Sequence, residues 1–380
     1  TTLRDVRHAA ARETPAFWWV PVLRRFGVTT AGALVLASSL LVAAEMTPAH
    51  TGGGTLRLAV EADPHSLDAA QVFSNEEATL CFFLFETLLE PGPAGGFKPR
   101  LAEALPTTSP DGLTHTFRLR RGVLFSNGHE LNADDVVYTF ERYFDPKAAT
   151  GTSSYFYSIA GGLAFMEARK TEAAAPGEAA RRNGGRWIEP LTVSGLRALD
   201  RYTVQIQLNQ PDLSFLHVLT SPPGGIVPRA EAEKLGRQFA SHPVGTGRFQ
   251  LKEWTRGARI RLTRNPHHLP ATPPGPEAVD VLVNVDRSTQ AMMFERGELD
   301  FEYYLTDPDF IRIQRDPARR KSLRIVTGAA PTFIFLNCEL PPFTNRLVRL
   351  AMNHAVDKDA LVRVLAGRCV PQRGPLPLAV

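Results

Sequence analysis

The sequence predicts an α/β protein, and three observations carry that prediction. Stretches such as "TLRLAV", "THTFRLR", "RYTVQIQL" and "RIRLTRN" alternate apolar and polar residues at the period of a half-buried strand. Others, such as "NEEATLCFFLFETLLE", "NADDVVYTFERYF" and "NRLVRLAMNHAV", carry an apolar stripe at helical spacing. The two kinds interleave along the chain, as they do where helices cover a sheet. At 380 residues, with 43% hydrophobic and 22% charged, the chain is long enough for two or three domains.

Composition excludes several functions. A net charge of +4, spread without a basic stripe, gives no footprint for nucleic acid despite a pI near 9.0. Cys81, Cys338 and Cys369 stand apart, with no Cys-x-x-Cys pair and no His at metal spacing, and Cys81 reads as a small buried hydrophobe. No Gly-x-Ser-x-Gly elbow and no His-Glu zinc helix is present, so the chain reads as no enzyme, with no cofactor and no metal.

Residues 1–44 read as an N-terminal extension and signal peptide, or as an anchor. Arg24 and Arg25 precede an apolar run from Val28 to Ala44, with small Val42 and Ala44 where a signal peptidase cuts. The run sits at the lower limit for spanning a bilayer, which keeps an uncleaved membrane anchor open. The arginine pair with Phe26 hints at twin-arginine export, and the absence of a following cysteine gives no support to a lipid anchor. The chain begins with Thr1, and its natural start is expected further upstream.

After the flexible Gly52-Gly53-Gly54, a strand through Leu56, Leu58 and Val60 is expected to end at Asp63-Pro64, since proline offers no N–H to a ladder. Residues 75–90 read as one helix with a stripe through Leu80, Phe83, Leu84 and Leu88, closed by Pro91-Gly92. Phe117 and Leu119 face one side of the next strand, Thr116, Arg118 and Arg120 the other. A turn at Asn127-Gly128 follows, and Asn132 caps a helix whose first turn holds Asp134 and Asp135 and whose buried face is Val136, Val137, Phe140 and Tyr143. The two acids are adjacent on a helix and face no common point, so capping rather than catalysis accounts for them. "MEARKTEAAAPGEAARRNGGRW" reads as a mobile surface excursion. Strands through Val204 and Ile206 and through Ile260 and Leu262 follow. Near the end, an amphipathic helix carries Leu347, Leu350, Ala351, Met352 and Ala355, and Asp357 caps a second helix that ends at Gly367.

The stretch "LAEALPTTSPDGLTHTFRLRRGVLFSNGHELNADDVVYTFER" resembles the bacterial extracellular solute-binding proteins of the dipeptide, oligopeptide and nickel class, which feed ABC importers. "LFETLLE", "VSGLRALDRYTVQIQLNQPDLSFLHVLT", "VGTGRFQLKEWTRGARIRLTRNPHH", "RGELDFEYY" and "FIFLNCELPPFTNRLVRLAMNHAVDKDALVRVLAG" resemble further blocks of that family in the right order, so the likeness runs from about Gly54 to Pro377. Two departures stand out: Arg248 replaces the proline of the family's GTGPY turn, and His267-His268 replaces its frequent aromatic. Adjacent loop histidines are expected to be solvated.

The resemblance implies a two-lobed periplasmic-binding-protein-like fold with an extra small domain, its third lobe incomplete because the family continues beyond "GRCVPQRGPLPLAV". It implies a first lobe from 54–90 and 193–285, a small second lobe from 91–192, and a truncated third from 286–380. The implied protein is a periplasmic or extracytoplasmic monomer, exported by its signal peptide. It captures a small peptide by closing its lobes and delivers it to the permease subunits of an ABC importer. Val72, Phe73 and Ser74 resemble the segment that runs beside a bound peptide as an added strand. Tyr155 matches the second-lobe loop over the ligand, and Thr220 and Ser221 lie in the return loop of the first lobe. A membrane-anchored ligand sensor, a nickel, haem or oligosaccharide binder, and a non-functional gene fragment stand as alternatives.

Overall fold

The computed structural model describes residues 53–148, 151–174, 182–183, 186–187, 192–268, 275–325, 334–365 and 368–371. The expected signal segment lies outside them. Among the described residues, no helix is long and apolar enough to cross a membrane.

In chain order the strands are β1 (Thr55–Ala59), β2 (Leu89–Pro91), β3 (Phe97–Pro99), β4 (Thr107–Thr108), β5 (Thr114–Arg118), β6 (Arg182–Asn183), β7 (Arg186–Trp187), β8 (Leu196–Asp200), β9 (Thr203–Gln207), β10 (Phe249–Thr255), β11 (Arg259–Arg264) and β12 (Ala278–Leu282). The helices are α1 (Asn75–Leu84), α2 (Ala133–Glu141), α3 (Gly162–Ala174), α4 (Phe215–Val218), α5 (Arg229–Leu235), α6 (Arg287–Glu295), α7 (Asp307–Arg315), α8 (Arg346–Ala355) and α9 (Lys358–Val364).

The first sheet runs β1-β12-β11-β10. β1 lies parallel to β12, with Leu58 opposite Val281, and the remaining pairs are antiparallel. Its inner face sets Ile260, Leu262, Val279 and Val281 against Leu80 and Leu84 of α1 and against Phe239, all almost fully buried. The second sheet, β4-β5-β9-β8, is wholly antiparallel, with Phe117 opposite Val204 and His115 opposite Ile206. Phe117, Val204 and Ile206 pack on Val136 and Phe140 of α2, with Phe144 and Phe156 alongside. Each such side chain contributes about 1.5–3 kcal/mol of burial, so two separate cores, one per sheet, hold the chain.

Four elements differ from the sequence reading. The helix expected over 75–90 stops at Leu84: Phe85 is extended at φ −124°, and residues 89–91 form β2 against β3. The cause is a distant turn. Gly247 N–H donates to the Leu84 carbonyl at 2.9 Å, and a Cβ on Gly245 would lie 2.1 Å from that oxygen. The glycines of "GTG" therefore let a loop take the last helical carbonyl and divert the chain.

The second difference concerns residue 193 as the return to the first lobe. β9 hydrogen-bonds to β5 and β8 to β9, and Val204 and Ile206 fill the second core, so the chain stays with the second sheet through residue 207. Third, the excursion begins inside a helix, α3, with Met166 packed on the second core, and β6 and β7 pair within it. Residues 175–181 and 184–185, on which the expectation of mobility also rested, lie outside the described residues. Fourth, α9 ends at Val364, not Gly367, and α8 and α9 bury none of their residues.

Candidate ligand-binding site

Three segments expected to face a solute converge where the two cores meet. The first, residues 68–74, leaves the first sheet's core in a tight 3-10 turn, Ala69–Gln71, capped by Asp68, whose carboxylate accepts from Ala70 N–H at 3.1 Å. Arg142, just past α2, donates both terminal nitrogens to the same carboxylate. The pair is buried, the side chains 2% and 12% exposed. Burial works against the Arg142 charge, but the contact with Asp68 outweighs it and raises the guanidinium above its ordinary value. Arg142 also lies 5.5 Å from the ring centre of Phe239, a first-core residue. One ion pair thus joins the two cores at the root of the site.

The next residue, Tyr143, is fully buried and ties the third segment in. Its hydroxyl donates to the Pro223 carbonyl at 2.5 Å and lies 3.4 Å from the Ala69 carbonyl. Burial pushes this phenol well above its ordinary value, so it stays a donor. The second segment is held by Thr152, whose hydroxyl reaches the Ala70 carbonyl at 3.4 Å, and by Gln71, which donates to the Ala148 carbonyl at 2.9 Å.

The six expected binding residues take different parts. Phe73 is 68% exposed, and its ring rests on Gly151, where a Cβ would fall 1.8 Å from Cε1. Tyr155 is 53% exposed and, with Ser154, Tyr157, Ser158, Asn209 and Asp212, lines a cavity of about 540 Å³. Val72 faces inward, 8% exposed, in the first core. Ser74 caps α1, its hydroxyl accepting from Glu77 N–H at 3.1 Å. The N–H groups of Phe73 and Ser74 donate to Glu77 Oε2 at 2.7 and 3.2 Å, so neither donor faces outward as a strand edge would present it. Thr220 and Ser221 donate their hydroxyls to the carbonyls of His217 and Val218, closing α4. The structure therefore brings Phe73 and Tyr155 to the surface and uses the other four to shape the loops.

Sequence reasoning missed the groups that fix this arrangement. Tyr143 reads only as part of a helix's buried face, and Asp68 lies more than 70 residues before the adjacent Arg142 and Tyr143, so no local pattern links the three. Asp135 likewise does more than cap: besides the Asn132 N–H at 3.0 Å it accepts from Arg229 N–H at 2.9 Å, 94 residues on. His268 is not solvated. Its side chain is 8% exposed and Nε2 lies 3.0 Å from Glu86 Oε1 and 3.1 Å from the Arg100 guanidinium. Burial alone would raise the Glu86 carboxyl, but His268 and Arg100 together hold it below its ordinary value. Among the described residues, no group of three or more His, Cys, Asp or Glu side chains could hold a metal ion. Cys81 is buried as expected, and burial pushes its thiol well up.

The profile of the bacterial extracellular solute-binding proteins, family 5 Middle, matches residues 96–380. The glutathione-binding protein GsiB of Escherichia coli O1:K1 / APEC is 28% identical over 285 residues, 74% of this chain and 48% of that protein. GsiB of Salmonella choleraesuis is 28% identical over 277 residues, 72% and 47% of the two chains. This chain spans about half the length of the curated relatives it matches. Among solved structures, the periplasmic binding protein DppA from Helicobacter pylori in complex with the peptide STSA superposes with a TM-score of 0.65 at 26% identity, covering 87% of this chain and 62% of that one. OppA of Burkholderia pseudomallei gives 0.70 at 24% identity over 86% and 60%, a likeness of fold.

Proposed function

We propose a function from one premise: this chain belongs to the bacterial extracellular solute-binding proteins of family 5. Its job is then binding, with no chemistry on the bound molecule. The solute class is a small peptide or a peptide-like molecule such as glutathione, taken up outside the cytoplasm and passed to the membrane permease of an ABC importer. The matched relatives named for glutathione and the fold neighbour holding STSA support that class.

The observation that carries the reading is the convergence of loops from both cores. Phe73, at the edge of the first core, and Tyr155, on the second, are large aromatic side chains left open to solvent, while the backbone beneath them is pinned by Asp68, Arg142 and Tyr143. Rigid walls with exposed rings at the rim are what a closing cleft offers a flexible ligand. In this reading residues 286–380 begin a third lobe, the first lobe holds the sheet β1-β12-β11-β10 with α1, and the small lobe holds the sheet β4-β5-β9-β8 with α2. Residues 1–44 export the chain.

Thermal unfolding of the chain against Ser-Thr-Ser-Ala, glutathione, short oligosaccharides and nickel tests this. At a hundredfold excess over Kd, binding adds about 2.7 kcal/mol and raises the midpoint by several degrees. A rise with the peptides, reduced in Phe73→Ala and Tyr155→Ala, is expected; a cooperative transition that moves with no peptide sinks the reading.

A further inference from the structure

The net charge of the chain gathers in one short stretch. Residues 315–324, "RDPARRKSLR", hold five cations and one acid, a net +4 in ten residues, equal to the formal charge of all 380. Outside this stretch acids and bases cancel, so the excess is local rather than spread.

The fold anchors the stretch and occupies the acids beside it. Helix α7 buries Phe310 and Ile313, and its Arg312 pairs with Glu295 of α6 and with Asp309 at 2.8 Å. The chain then enters a 3-10 turn, Arg319–Ser322, where Arg319 reaches the same Glu295 at 3.4 Å and Asp316 at 3.5 Å. Asp316 also accepts the N–H groups of Ala318 and Arg319 at 2.9 and 3.3 Å, and Asp307 is taken by Arg368. Arg315, Arg320, Lys321 and Arg324 are left over. All four are exposed, and among the described residues none of them meets a carboxylate. Ile325, next in the chain, is 69% exposed.

Cations crowded in this way repel one another, and salt screens the repulsion only in part. Arg312 and Arg315 offset the dipole at the end of α7, but that field fades within a turn and does not account for Arg320, Lys321 and Arg324. A small-ligand site needs convergent groups locked in place. These exposed, unlocked side chains respond to charge density, not to a ligand's outline. No aromatic ring stands among residues 315–325 to stack on a base, which disfavours single-stranded nucleic acid, while an exposed isoleucine beside the cations suits the headgroup boundary of a bilayer.

We propose that residues 315–325 are a docking patch for an anionic phospholipid bilayer. Arg320, Lys321 and Arg324, with Arg315 beside them, meet the lipid phosphates, and Ile325 enters the headgroup layer. Delivery to a membrane permease, proposed above, brings the chain to such a surface, but the patch acts whatever the solute.

Cosedimentation of the full 380-residue chain with vesicles of phosphatidylcholine alone, or of phosphatidylcholine mixed with phosphatidylglycerol, tests this at low salt and at about 1 M salt. The expected result is tighter binding to the mixed vesicles, lost at high salt. Each cation is expected to contribute about fivefold, so Arg320→Glu/Lys321→Glu/Arg324→Glu weakens binding at least about tenfold. Lys98→Glu/Arg237→Glu/Lys252→Glu makes the same change in net charge at exposed positions elsewhere and is expected to bind as the unsubstituted chain does. Equal affinity for both kinds of vesicle, as the apolar run from Val28 to Ala44 alone would give, overturns the patch. An equal fall in the two triple variants does the same, since net charge alone would produce it. Binding to native membranes but to no protein-free vesicle also overturns it and makes a membrane protein the partner. Should the triple reversal fail to fold, Arg320→Gln/Lys321→Gln against Arg237→Gln/Lys252→Gln decides by the same comparison.

Discussion

Helices α2 and α8 begin alike and end in different surroundings. Asn132 accepts the N–H groups of Asp134 and Asp135, and Asn345 accepts that of Leu347. Both helices are amphipathic. Yet α2 buries Val136 and Phe140 completely under the second sheet, whereas α8 leaves Leu347 69% and Leu350 38% exposed. Capping and an apolar stripe are enough to specify a helix. Burial needs a facing layer, and among the described residues the second sheet provides one for α2 where α8 packs none of its residues away. The elements packed on the two sheets are thus stabilised by long-range contacts, and residues 334–365 chiefly by local ones.

The largest effect on that contrast is expected at the joint between the cores. Asp68→Ala leaves Arg142 buried and unpaired, and urea unfolding is expected to show a loss of about 3–5 kcal/mol; a loss under about 1 kcal/mol would mean the ion pair does not tie the cores. Next, Leu262→Ala in the first core is expected to cost about 2–5 kcal/mol, and Leu347→Ala on α8 no more than about 0.5. Similar costs for the two would break the contrast and show that α8 has a packed face. The smallest effect belongs to the caps. Asn132→Ala is expected to lower global stability by about 1 kcal/mol, while Asn345→Ala speeds amide exchange within α8 and leaves the global transition in place. Hydrogen exchange on both variants distinguishes the cases.

Much of the fold was legible because its signals are local. The alternation through Phe117 and Leu119, the turn at Gly128 with φ +87°, and the cap at Asn132 with its acid at Asp135 stand in the structure as read. The exposed aromatics Phe73 and Tyr155 were reached through a family likeness, because a loop ring looks the same in sequence whether it caps a core or faces a cleft. The misreadings share one cause. Helix α1 continues through Leu88 by periodicity, and only the approach of Gly245 and Gly247 ends it at Leu84. His268 reads as a wet loop residue until Glu86 and Arg100 are brought to it from 182 and 168 residues away.

By itself the sequence determined most of the strands and helices and where they start, since dihedral preference, capping and apolar period act within a few residues, and its ordered motifs carried the family likeness. The tertiary structure alone decided which sheet β8 and β9 join and which carboxylates, such as Asp68 and Glu86, are paired in the interior. Those outcomes turn on desolvation and on hydrogen-bond partners supplied from far along the chain, and no local pattern encodes them.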